Sequence, residues 1–121
     1  MENVKENAMK HYQQGKSCSE SVLLAFRDAG NPISQDVLNA VQGMRGGIGG
    51  GGCVCGAVLG GAMAAGVIDP AESHRVAQEL HQKFKERYKT TCCRSLRKSG
   101  ECIAYVGTAA ELVVNGLKEK K

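Results

Sequence analysis

Between Gly43 and Gly66 glycine appears in two different settings, and together they leave few folds open. The first is Arg45-Gly46-Gly47-Ile48-Gly49-Gly50-Gly51-Gly52, a stretch whose backbone can enter the left-handed region at almost every step and so reads as a loop. Behind it, Cys53 to Gly66 is apolar on every side and rich in Ala and Gly. It lacks the alternation and β-branched residues of a strand, which makes a buried helix the better reading. Within it Gly56 and Gly60, four residues apart, share a face on which a neighbouring backbone can come close. The apolar run from Val54 to Ile68 is shorter than the roughly 20 residues that a membrane span needs. It therefore predicts a central helix walled in by other helices, with no membrane insertion.

Start and stop signals supply those other helices. Val4 to Gln14 reads as a polar first helix, with residues 1–15 forming an N-terminal segment that ends at Gly15. Ser17-Cys18-Ser19-Glu20 is a capping box, with Ser17 as cap and Glu20 able to reach back. The helix it opens carries Val22, Leu23, Ala25 and Phe26 and stops at Gly30, before Asn31-Pro32. Ser34 can cap a helix holding Val37, Leu38 and Val41, which runs out at Gly43. Asp69-Pro70-Ala71-Glu72 combines a cap, a proline at the first helical position and a glutamate at the third. The helix it predicts carries Ala77, Leu80, Phe84 and Tyr88 and ends near Lys89. A short turn holds Thr90-Thr91-Cys92-Cys93, and Cys102 opens a last helix with Ile103, Val106, Ala110, Leu112 and Val113. Residues 117–121 read as a basic, solvated tail. No repeat or linker interrupts residues 1–121. The expectation is an all-α single domain, a bundle of five or six helices with a Gly-rich loop before a central buried helix.

The chain has 121 residues, enough for one core, but no Trp, two Phe and three Tyr, so that core must be aliphatic. A formal charge of +4 is modest. Basic residues gather near the third cysteine group, at Lys83, Lys85, Arg87, Lys89, Arg94, Arg97 and Lys98. Without stacking aromatics or a recognition motif they do not make a nucleic-acid surface. The polar start Met1-Glu2-Asn3-Val4-Lys5-Glu6 does not resemble a signal peptide, so a cytoplasmic location is expected. Thiols stay reduced there, and clustered cysteines serve as metal ligands or redox groups.

Six cysteines fall in four places: Cys18, Cys53 with Cys55, Cys92 with Cys93, and Cys102. Several lie at predicted helix ends or beside the glycine loop, where segments can converge. Cys18, in a first helical turn, faces unpaired N–H groups that favour an anion. Structural zinc prefers paired Cys-x(2–4)-Cys ligands, and the close pairs here are Cys-x-Cys and Cys-Cys. His74 and His81 stand seven apart on one helix and His11 sits in a polar segment, so the histidines read as surface residues. A thioredoxin-like Cys-x-x-Cys in a βαβ setting and the Cys-x-x-Cys-His of attached haem are both absent. Gly47, Gly49 and Gly52 spell a Gly-x-Gly-x-x-Gly, but no strand precedes it and dense glycine makes the match cheap. Close backbone approach to a sulfur or inorganic centre, with N–H groups donating to sulfur, is the better role. No Ser-His-Asp or paired-carboxylate arrangement marks a hydrolytic site.

The order Cys18-x-Glu20, then the glycine run leading into Cys55-Gly56-Ala57-Val58-Leu59-Gly60, then Cys93-Arg94 and Cys102, resembles the C-GCAxxG-C-C family of redox-active proteins. The resemblance spans roughly Gly15 to Val113 and assigns the family's cysteines to Cys18, Cys55, Cys93 and Cys102, with Cys53 and Cys92 as extras. The family is similar to the non-haem region of split-Soret cytochromes. The resemblance implies a small helical redox module, a homodimer that exchanges electrons with a partner protein. The leading expectation is an iron–sulfur cluster held by those four cysteines. Gly49, Gly50, Gly51, Gly52 and Gly56 would supply backbone donors, Gly60 the close packing, and Arg94 with Lys89 would offset the cluster's charge. Two alternatives use the same residues: a metal-free thiol–disulfide protein, and an interaction module whose cysteines are buried fillers.

Overall fold

The structure is a computed structural model and describes residues 1–119. Lys120 and Lys121, the end of the expected basic tail, lie outside the described residues. The fold is an all-α single domain. Its helices are α1 (Val4–Gln13), α2 (Cys18–Asp28), α3 (Gln35–Ala40), α4 (Gly56–Ile68), α5 (Ser73–Tyr88), α6 (Cys93–Arg97) and α7 (Cys102–Lys118), with a 3₁₀ turn at Val41–Met44. Seven described helices stand where five or six were expected, because the segment read as a turn at Cys93 winds into the short α6. The last helix also continues through Leu117 and Lys118, so the tail expected from residue 117 begins later.

Local chemistry explains most boundaries. Ser17 Oγ accepts the Glu20 N–H at 3.3 Å and Ser34 Oγ accepts the Val37 N–H at 3.3 Å, each capping its helix. Two expected starts shift. Asp69-Pro70-Ala71-Glu72 forms a turn, with the Glu72 N–H donating to Asp69 O at 3.1 Å, and α5 begins at Ser73. Asp followed by Pro suits the first two places of a β-turn as well as it suits a helix start. Helix α4 begins at Gly56 instead of Cys53, because Val54 is drawn into an antiparallel bridge with Cys92.

Helix α4 packs against α2, α5 and α7, while α1 lies across α2 and α7. Phe26, Leu23, Leu80, Phe84, Val106 and Val113 are fully buried between them. Burying each such side chain contributes about 1.5–3 kcal/mol, so this aliphatic and phenylalanine core carries the fold. The α2–α4 contact is closer than ordinary side chains allow. A Cβ on Gly60 would stand 2.5 Å from Ser19 O and 2.9 Å from Ser19 Cα. Gly60 therefore brings the start of α2 directly onto α4, as the Gly56/Gly60 spacing implied. Among the described residues, no helix is long and apolar enough to cross a membrane.

Candidate functional site

The starts of four helices meet at one end of the bundle, each bringing a cysteine. Cys18 is the first residue of α2, Cys55 caps α4, Cys93 is the first residue of α6 and Cys102 the first of α7. All four line a single cavity of about 420 Å³. Two devices bring Cys18, Cys55 and Cys93 there. The close α2–α4 crossing sets Cys18 against the start of α4, where a Cβ on Gly56 would lie 3.3 Å from Cys18 Cβ. The bridge between Val54 and Cys92 sets the other side: the Cys55 N–H donates to Thr91 O at 2.7 Å, and the Cys93 N–H to Cys53 O at 2.9 Å.

The same bridge separates the extra cysteines from the cavity. Neighbours on an extended chain face opposite ways, so Cys93 turns to the cavity and Cys92 away from it. The Cys92 thiol donates to Gly52 O at 3.3 Å, and Cys53 is exposed. Neither lines the cavity. No two of the six cysteines form a disulfide.

The electrostatics of the inner sulfurs follow from burial and proximity. Burial, reinforced by Cys55, Cys102 and Cys93, pushes the Cys18 thiol up to about 12. Burial pushes Cys55 up to about 11, against the pull of the Val58 and Ala57 N–H groups in the first turn of α4. These two thiols hold their protons at neutral pH. Tyr12 of α1 joins the same group: burial, with the Cys102 and Cys18 sulfurs beside it, pushes its hydroxyl up to about 12. The Cys92 thiol goes the other way, held below its ordinary value chiefly by the Ser95 N–H.

The glycine loop has a different role from the one expected. The N–H groups of Gly49, Gly50, Gly51 and Gly52 donate to Gly43 O, Arg45 O, Ile48 O and Gly46 O at 2.8–2.9 Å. They are consumed inside the loop and do not face the sulfurs as donors. Only Gly46 of the loop lines the cavity, together with Gly56 beyond it. The loop instead makes room. At Gly47, with φ 77°, a Cβ would stand 2.6 Å from Cys53 N and 2.8 Å from Cys93 Cβ, so any side chain would displace the start of α6 that carries Cys93.

Arg94 is also placed elsewhere than expected. Its guanidinium donates to Gly51 O at 3.2 Å and covers Gly52, which fixes the loop. Neither it nor Lys89 lines the cavity. The cations that do are Lys16, Arg45 and Arg97, all exposed at the mouth. These three, with Tyr12 and Tyr105, are the site residues that sequence reasoning missed. Lys16 and Arg45 did have a sequence signal, since each directly precedes a feature already singled out, the Ser17 cap and the glycine run. Tyr12 had none, sitting on a helix that reads as merely polar. Tyr105 is held rigidly: its hydroxyl donates to Leu96 O at 3.1 Å and meets Ser99 Oγ, and its ring packs edge-on to Tyr88 with centroids 4.8 Å apart. The histidines are remote from the cavity: His11 bonds Asp28 at 2.7 Å, His81 meets Thr91 at 3.3 Å, and His74 is exposed.

Among the described residues, no group of three or more His, Cys, Asp or Glu side chains could hold a metal ion. The four cysteines line one cavity without forming such a group. That disfavours a lone zinc. A multi-iron core is a different case, because its ligand thiolates attach to different iron atoms instead of to one ion. The donor set, four thiols and no histidine, is also the one such clusters take.

Over residues 16–115 the chain matches the family described as "Putative redox-active protein (C_GCAxxG_C_C)", and it belongs to that family. The match covers every cavity cysteine and leaves the whole N-terminal segment, Tyr12 included, outside it. No curated protein and no solved structure matches the chain.

Proposed function

Taking membership of this redox-active family as the premise, we propose that the chain is an electron-transfer protein whose Cys18, Cys55, Cys93 and Cys102 bind an iron–sulfur cluster. The observation that carries this reading is the meeting of four helix N-termini, each with a thiol, at one cavity with three cations at its mouth. A bound cluster would supply reversible one-electron exchange. The chain's own residues do the rest. Helix N-termini and the cations Lys16, Arg45 and Arg97 favour a negatively charged centre. Gly56 and Gly60 let two ligand-bearing helices approach each other, and the Val54–Cys92 bridge fixes the other pair of sulfurs. On binding, a positive core would replace the protons that Cys18 and Cys55 keep in the metal-free protein.

The test is anaerobic reconstitution with iron and sulfide, followed by absorption spectroscopy and iron and acid-labile sulfide assays. Visible charge-transfer bands with bound iron and sulfide are expected. Protein that takes up neither rules the reading out. The homodimer and the redox partner that the family resemblance implies belong to the same reading, and sedimentation of the reconstituted protein checks the first.

A metal-free dithiol is the second reading, and one observation favours it: Cys55, Cys93 and Cys102 line the same cavity as Cys18 and lie close enough to reinforce the effect of burial on its thiol. Mild oxidation followed by mass spectrometry would then show loss of two hydrogens mapping to one inner pair.

A further inference from the structure

The sulfurs and the cations occupy different levels of the same cavity. Cys55 is 4% exposed, at the floor, while Lys16, Arg45 and Arg97 are exposed at the mouth. Among the described residues no aspartate or glutamate lines this cavity. Among the described residues none of the three cations has an ion-pair partner, although lysine and arginine elsewhere do find carboxylates. Arg97 is held in position by its donation to Gly46 O at 3.4 Å. A volume of about 420 Å³ lies within the roughly 300–1,000 Å³ typical of small-molecule sites. Tyr12, Leu96 and Tyr105 give one wall an apolar and aromatic surface.

We propose that the mouth of this cavity binds a small organic anion, its carboxylate or phosphate group on Lys16, Arg45 and Arg97 and its remaining body directed toward the sulfurs. Three unpaired cations around one opening, with no carboxylate to balance them, attract a ligand of opposite charge, and a pocket with low-dielectric walls concentrates that attraction. An arginine already anchored through one N–H keeps further donors in a planar fork that matches an oxyanion. The inference shares the cavity with the proposed cluster but does not depend on iron filling it. It can fail while the cluster reading stands, and the reverse.

The test uses the full chain, metal-free and reduced, at low ionic strength. Alkylation of Cys18, Cys55, Cys93 and Cys102 by anionic iodoacetate and by neutral iodoacetamide is followed at peptide level, with the urea-unfolded chain as reference. The iodoacetate-to-iodoacetamide rate ratio is expected to rise about tenfold on folding. Lys16→Gln with Arg45→Gln, two substitutions that leave the backbone hydrogen bonds of both residues in place, should return it to the unfolded value. Inorganic phosphate or acetate should slow both reagents at these cysteines, and the anion effective at lower concentration identifies the preferred oxyanion. A ratio unchanged by folding, a ratio the double variant retains, or protection by neither anion overturns the proposal. Should the folded thiols resist both reagents, amide NMR shifts at Lys16, Gly46 and Arg97 decide. Saturation with phosphate or acetate supports the site, and a linear drift with both overturns it.

Discussion

Cys92 and Cys93 are neighbours in the chain, as Cys53 and Cys55 nearly are, yet each pair is split between two environments. Cys55 and Cys93 line a cavity with Cys18 and Cys102, where burial and mutual proximity hold Cys18 and Cys55 protonated. Cys53 is exposed, and Cys92, outside the cavity, is pulled toward the thiolate by the start of α6. The six sulfurs have one chemistry. For the four sulfurs of these two pairs, distribution about one short antiparallel bridge sets how each behaves.

The sharpest way to break this contrast is to remove sulfurs one at a time. Cys18→Ser, Cys55→Ser, Cys93→Ser and Cys102→Ser are each expected to reduce bound iron after anaerobic reconstitution to background. Cys53→Ser and Cys92→Ser are expected to keep it at the level of the unaltered chain. Iron loss from either outer variant would mean that the cavity is not the functional boundary.

Raising the pH should separate the two environments in the metal-free protein. Cys18 and Cys55 have folded values of about 12 and about 11 against an ordinary 9.0, so folding favours their protonated forms. The stability this linkage contributes is fully present below about pH 9 and is lost as pH climbs through 11 and 12. Cys92, at a half-buried position, has the opposite sign: its contribution is present above the ordinary value and fades as pH falls through its lowered one. Melting temperatures measured from pH 7 upward should fall steeply past about pH 9. Cys18→Ala with Cys55→Ala should flatten that fall, and Cys92→Ala should leave it in place.

Packing beneath the inner site comes next in size. Gly60→Ala places a methyl 2.5 Å from a backbone oxygen of α2, so the two helices must part. A loss of about 1–3 kcal/mol is expected from the urea unfolding midpoint. Gly66 offers the control, since it lies in the same helix with nothing within 4 Å of a Cβ. Gly66→Ala should gain about 0.5–1 kcal/mol through the unfolded chain's reduced freedom. Equal effects at the two positions would mean that the α2–α4 approach is not the constraint.

What the sequence disclosed, and what it withheld, divides along a physical line. Local signals were legible: the Ser17 and Ser34 caps, the stops at Gly30 and Lys89, and the Gly56/Gly60 face each act within one or two turns of chain. The Val54–Cys92 bridge was not, because its partners lie far apart in sequence and neither segment has the alternation of a strand. That one contact moved the start of α4, set which of Cys53 and Cys55 reaches the cavity, and gave α6 its beginning. The cations were misassigned for the same reason. Arg94 stands beside Cys93 in sequence but reaches back to the glycine loop, whereas Arg45, far away in sequence, arrives at the cavity.

The smallest expected effect tests whether the cap that defines Cys18's helix also defines its site. Ser17 Oγ satisfies the Glu20 N–H, and Ser17→Ala should cost about 1 kcal/mol, read from the urea midpoint. With that bond gone the first turn of α2 frays, and Cys18 lies in that turn. Fraying lets water reach a sulfur whose raised proton affinity comes first from burial. The Cys18 thiol should then alkylate faster at neutral pH, while the rate at Cys102 stays where it was. Cys18 and Cys102 both open helices onto the cavity, but of these two helices α2 has a serine side-chain cap and α7 has none. If both thiols accelerate together, the cavity opens as one unit and the four helix starts are coupled. If Cys18 alone responds, each helix start holds its own sulfur.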